Sequence, residues 1–304
     1  LPYLIYIYRI IFIKAPNMTY KLHPATRMGA ATLAVANLAQ SVAFYQNIIG
    51  LQRLDAGTDE KASLGVGNTP ILHLQEIPGA QPQPERSTGL YHAAILVPSR
   101  PDLGRFLLNL ARTQYPVGGF GDHLVSEAIY LSDPDGNGLE VYRDRPRSEW
   151  QWQGSQVKMA TDPVDVEGIV ATVENPSAPY AGMPAGTTMG HLHLRIGDVA
   201  KAEAFYHDLI GFDVVATWHG ALFVSAGGYH HHLGLNTWHS YNAPPAPANS
   251  VGLRDYTVIL PNQAALADLM ARFEAAKITL DHQSDAIWVN DPWHNRIRFV
   301  VETA

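Results

Sequence analysis

The chain repeats itself, and the repeat limits its fold more than any other feature does. MGAATLAVANLAQSVAFYQNIIGLQRL, starting at Met28, overlays MGHLHLRIGDVAKAEAFYHDLIGFDVV, starting at Met189. The Met-Gly pair, the Ala-Phe-Tyr triplet and the Ile-Gly step coincide. Each copy reads as an alternating strand, an amphipathic helix, a glycine stop and a further strand. In the first copy Leu38, Val42, Tyr45 and Ile49 recur at helical spacing, and Gly50 supplies the left-handed residue that ends a helix. Gly211 does the same in the second. GLYHAAILVPSRPDLGRFLLNLA from Gly89 and GLRDYTVILPNQAALADLMARFE from Gly252 form another pair, again strand then helix. They close with EAIYLSDPDGNGLEVYRD and DAIWVNDPWHNRIRFVVE, where Asp-Pro marks a turn between two strands. Modules therefore fall near 28–80, 89–145, 188–241 and 250–303.

A stretch rich in Pro, Gly, Ser and Thr, 146–187, separates the second module from the third. It is long for a connection inside one compact unit and reads as a linker between halves. The expected division is a domain at 18–145 with modules one and two, and a domain at 188–304 with modules three and four. The opening LPYLIYIYRIIFI is shorter than a membrane span and carries Arg9, and no small-residue cleavage site follows it before Asn17. Residues 1–17 are expected to be an extension outside the fold, with an added edge strand as the alternative.

Composition narrows the chemistry. A formal charge of -7 disfavours nucleic-acid and anionic-membrane partners, which need a basic surface. With no cysteine there is neither disulfide, thiolate metal site nor cysteine nucleophile, which fits a cytoplasmic protein. Any metal must be held by nitrogen and oxygen, and 14 histidines supply candidates.

Four such modules, with FYxxxxG after the first helix and DPDGNGLEVYRD at a strand end, resemble the vicinal-oxygen-chelate superfamily of glyoxalases, bleomycin-resistance proteins and type I extradiol dioxygenases. DHLVSEAIYLSDPDGNGLEVYRDRP together with SAGGYHHHLGLNTW resembles the bacillar catechol-2,3-dioxygenase group in particular. The resemblance implies an α+β fold of four βαβββ modules, forming two cup-shaped mixed-sheet barrels. Metal ligands in this superfamily come from the first and last strands of facing modules. The first-strand positions here are Ala30, His92, His191 and Asp255. The last-strand positions are His73, Glu140, a residue near His231–Gly234, and Arg298.

The resemblance implies a metal held by His92, Glu140 and His191, which requires modules two and three to face each other. That set is the two-histidine, one-carboxylate triad of non-haem Fe(II), and Mn(II) shares its ligands. Pairing in chain order would instead gather His73, His92 and Glu140. By the same resemblance His231 is the catalytic base beside the metal; strand alternation then turns His230 and His232 away from it. His123 and Tyr130 by resemblance hold substrate oxygens, and His193, two residues from His191 and so on the same face, lines the pocket or the barrel wall. Asp133, Asp135 and Gly136 read as turn residues, not as a calcium loop.

The implied function is an extradiol ring-cleaving dioxygenase acting on a small aromatic diol and dioxygen. A glyoxalase-like isomerase or thiol transferase is the alternative within the superfamily, and a metal-free drug-sequestering protein the alternative outside enzymes. The sequence leaves homo-oligomerisation open.

Overall fold

The computed structural model describes residues 20–302 apart from 57, 59, 284 and 285. The expectation for residues 1–17 lies outside them. Every module has the predicted order of strand, helix and three strands, and in each the first strand pairs in parallel with the last.

Local chemistry sets the helix limits. Asn37, Ser99, Asp198 and Asn262 each stand just before the helix of one module, and their side chains accept a backbone N–H from the first turn. In modules one and three the helix finishes as a wider π-helical stretch, Tyr45–Ile49 and Glu203–Ile210. This differs from the plain helical spacing expected. The cause is a five-residue closure, with Gly50 N–H donating to the Tyr45 carbonyl at 3.0 Å. Gly50 then turns the chain at φ +92°, where a Cβ would fall 2.7 Å from the Gly182 Cα, so only glycine fits.

The four modules form two eight-stranded mixed sheets. In one sheet the first strand of module one, Arg27–Val35, runs antiparallel to that of module four, Gly252–Leu260. In the other the first strand of module two, Gly89–Leu96, runs antiparallel to that of module three, Thr188–Arg195. The chain-order halves thus each give one module to either sheet. Both seams carry two register shifts, and in the second they fall at Met189/His191 and His193/Leu194. Bulges of this kind bend a sheet and increase its twist.

Modules adjacent in the chain are joined differently, by a buried tyrosine. Tyr45 Oη donates to Asp133 at 3.0 Å and Tyr206 Oη donates to Asp291 at 2.8 Å. Asp133 also receives the backbone N–H of Asp135 and of Asn137 and the Asn137 side chain, and Asp291 receives the matching set from Trp293 and Asn295. The Asp-Pro segments are turns, and each carboxylate pins the tyrosine of the preceding module. One apolar core runs through both sheets and the helices covering them.

Because each pin satisfies several donors around one buried carboxylate, Asp133→Ala should cost about 3 kcal/mol in urea unfolding. Tyr45→Phe should cost about 1 kcal/mol. Values near zero for both would mean that the pins do not hold the modules together.

Candidate metal centre

The seam between modules two and three builds the site. Ala94 on the first strand of module two lies beside Glu140 on one side and His191 on the other. His92 is two residues back on the same strand, so it shares the face of Ala94. The small Ala94 side chain leaves space into which the larger groups reach. His92 Nε2 lies 3.0 Å from Glu140 Oε2, and His191 Nε2 lies 3.2 Å from the same oxygen. One atom from each of the three can be chosen so that all lie within 4.8 Å of one another, and all three residues are buried.

The same distances fit three ligands around a cation, although His191 Nε2 and Glu140 Oε2 also stand within direct hydrogen-bond reach of each other. Ligands at right angles around a metal, with bonds of about 2.1 Å, stand about 3.0 Å apart, against about 3.4 Å in a tetrahedron. His92 Nε2, although close to the carboxylate, has no aligned hydrogen-bond partner among the described residues. A buried ring nitrogen left in that condition is costly unless something else binds it.

Burial and neighbouring groups shift the titration of several of these residues. Burial pulls His191 down to about 4 against the opposing pull of Glu140, so its ring is neutral at pH 7. Burial would by itself raise Glu140, but the His191 and His92 rings hold the carboxyl well below its ordinary range. Burial also depresses His193 and His231 strongly, and neighbouring imidazoles add to it. His232 falls to about 3 for the same reasons.

The remaining sequence candidates flank this centre on two sides. Tyr130 is opposite Glu140 across adjacent strands, and its ring is 5.6 Å from that of His92. Its hydroxyl is 2.6 Å from His123 Nε2, while His123 Nδ1 lies 2.7 Å from the Ala160 carbonyl. A carbonyl only accepts, so His123 donates from Nδ1 and Tyr130 donates to Nε2. Burial, then the adjacent Glu140, raises Tyr130 well above its ordinary value. On the other side the His231 ring lies tilted against that of His191, with centroids 4.1 Å apart. His193 is buried against His92, Tyr91 and Trp238, its ring lying over Gly234, where a Cβ would come within 2.8 Å.

The His230–His232 run departs from simple strand alternation. The strand begins only at Leu233, so the run lies in the bend before it. His232 does turn away, its Nδ1 accepting the Ala226 N–H at 3.1 Å. His230 does not: its Nδ1 is 2.8 Å from His231 Nδ1, and its ring is 6.0 Å from His191.

His73 is elsewhere, in the sheet of modules one and four. There it lines a cavity of about 270 Å³ with Thr32, Asp255, Trp288 and Arg298. By strand register Asp255 occupies the place of His92, Arg298 that of Glu140, and Ala30 that of His191. A permanent guanidinium where the carboxylate should be, and a methyl where an imidazole should be, make this cup unsuited to a metal.

Two features of the site were not anticipated from residue order. The 146–187 segment is more than a spacer. It forms a short hairpin, Trp152–Gln153 with Gln156–Val157, and a helix at Val166–Ala171. It brings Trp150 to 5.3 Å from the His230 ring and Ala160 to His123. The second feature is a polar chain behind the centre: Tyr142, Tyr229 and Asp144. The EVYRD run that starts at Glu140 was its one visible signal. Gly190 permits it, since a Cβ there would fall 1.8 Å from Tyr142 Oη.

Comparison with known proteins agrees with this fold. Residues 27–141 and 188–299 match the family described as the Glyoxalase/Bleomycin resistance protein/Dioxygenase superfamily. The chain belongs to that superfamily. Within it, the chain is 47% identical over 277 residues to the catechol-2,3-dioxygenase of Bacillus subtilis (strain 168), covering 89% of this chain and 95% of that one. At that level of identity it is an enzyme, a dioxygenase-like oxidoreductase, and its family implies a metal. Glyoxalase I of Zea mays shares the fold at a TM-score of 0.55 and 15% identity, over 91% of this chain and 92% of that one. A solved structure from Bacillus subtilis does so at 0.63 and 13% identity, over 93% and 86%. Among the described residues no helix is long and apolar enough to cross a membrane.

The depressed histidines give a pH signature in the metal-free protein. The unfolded chain takes up protons near 6.5, whereas folded His191 takes one up only near 4 and His232 only near 3. Between those values the unfolded state binds more protons, so stability present above pH 6.5 is lost on acidification. Urea unfolding from pH 7 to pH 5, above most carboxylate titration, should show uptake of at least about two protons. A flat profile would contradict buried, neutral imidazoles.

Proposed function

We propose that the protein is an extradiol ring-cleaving dioxygenase: a catechol and dioxygen combine, both oxygen atoms enter the product, and the ring opens to a hydroxymuconic semialdehyde. The observation that carries the reading is the convergence of His92, Glu140 and His191 on one buried point, with acid–base groups on both sides. Fe(II) is the proposed metal. Two imidazoles and one carboxylate, from His92, His191 and Glu140, would hold it, a donor set that suits Fe(II) used with a catechol and dioxygen.

When bound, the metal would orient both substrates and conduct electrons between them. The chain's own residues do the rest. His231, neutral because it is buried, has an unprotonated nitrogen to take a phenolic proton and to return it later. Tyr130, its own proton committed to His123, offers the lone pairs of Oη to a substrate hydroxyl. The rings of His193, Tyr91 and Trp238 make a largely apolar wall beside His92 that suits an aromatic substrate. Among the described residues the metal-holding group contains a single carboxylate, whereas the glyoxalase-like alternatives call for two. The intact triad also weighs against a metal-free binding protein.

Substitutions separate the roles. Glu140→Ala should abolish iron retention measured by elemental analysis, because two neutral imidazoles then face a dication. His73→Ala, altering only the other cup, should leave iron and activity near wild type. Equal iron loss from both would contradict the assignment.

A second comparison divides the histidine run. His231→Ala should keep its iron, yet turn over catechol roughly 10²–10⁴-fold more slowly, mainly in kcat. His232→Ala should leave the catalytic centre intact. Iron loss from His231→Ala would make that residue a fourth ligand and favour the glyoxalase-like chemistry.

A further inference from the structure

We propose that Asp144 acts through His230 as a positioning residue, fixing His231 as the tautomer protonated at Nδ1 and bare at Nε2. The inference rests on the reading of His231 as the base, and it says which of that residue's nitrogens takes the proton. Three distances carry it. His230 Nε2 is 2.9 Å from Asp144 Oδ1, His230 Nδ1 is 2.8 Å from His231 Nδ1, and Tyr229 Oη is 3.3 Å from the same Asp144 oxygen.

Hydrogen-bond bookkeeping then leaves one arrangement for neutral rings. An ionised carboxylate accepts and never donates, so the His230 proton is on Nε2. A neutral imidazole has one N–H, so His230 Nδ1 is bare and accepts. The only donor that can meet it is His231 Nδ1–H. His231 Nε2 is therefore the free lone pair, and a base needs one. The opposite tautomer would set two bare nitrogens against each other at 2.8 Å.

The surroundings hold the chain in register. The His230 side chain is fully buried between Tyr229, at 4.1 Å, and Trp150, at 5.3 Å, so its ring cannot swing away. Tyr142 Oη, 2.7 Å from Tyr229 Oη, completes the row of donors behind Asp144. The Asp144 side chain is 24% exposed while His230 is not, so the carboxylate stands at the outer end. A carboxylate fixing a histidine tautomer through a hydrogen bond is an established way to prepare a base. Here a second histidine is interposed.

The test is 15N NMR of the full-length chain loaded with zinc, a diamagnetic probe, alongside turnover of the iron-loaded enzyme. In the wild type, His231 should show a protonated Nδ1 and a bare Nε2. Asp144→Leu should mix the two tautomers and lower kcat roughly 10–100-fold at unchanged KM and iron content. Tyr229→Phe keeps the carboxylate and should leave the His231 tautomer as it was. A wild-type His231 protonated at Nε2 overturns the proposal whether or not any variant folds. So does an unchanged tautomer in a folded Asp144→Leu protein. A mixed tautomer with unimpaired turnover would instead overturn His231 as the base and leave the tautomer assignment standing.

Discussion

The antiparallel seam between Gly89–Leu96 and Thr188–Arg195 is the contact on which the rest of the site depends. It sets His191 against Ala94, and the parallel last strand of module two sets Glu140 against the same alanine. Three groups from three strands therefore meet over one small side chain. A one-residue slip on either strand would send one of these groups to the opposite face. The bulge at Gly190 does two things here: it curls the sheet, and it leaves the space occupied by Tyr142 Oη.

Two cups of the same design have opposite chemistry. In one, two buried imidazoles surround a single carboxylate, a set suited to a dication. In the other, Arg298 and Asp255 stand at equivalent positions beside Trp288 and Thr32. The strand order and the antiparallel seam are alike in the two sheets, while the side chains at these positions differ. Fold places the cups, but what a cup does is decided by the charges projected into it.

Burial of so many histidines has a cost, and the structure shows how it is met. His232 and His123 are satisfied by backbone groups, His230 by Asp144, and His231 by His230. His92 Nε2, His191 Nδ1 and His193 Nε2 have no such partner among the described residues. The segment 146–187 supports this arrangement by closing one wall with Trp150 and by supplying the Ala160 carbonyl. The long connection is thereby part of the site that it links.

The repeat, the caps at Asn37 and Asp198, the stops at Gly50 and Gly211 and the Asp-Pro turns are all local, and residue order alone determined them. Periodicity and turn chemistry act within a few residues, so module number and α+β class are legible in residue order by itself. Resemblance carried this further, to His92, Glu140 and His191. What only tertiary structure decided was partnership. Four first strands have similar patterns and similar unpaired edges, so nothing local distinguishes a seam between modules one and two from one between two and three. That choice separates His73 from His191. The bend at His230–His232 was hidden for a related reason: strand alternation predicts where side chains point only within a strand, and the run ends one residue before Leu233. Its orientation follows from Asp144 and Tyr229, which belong to different modules and meet only across the folded seam.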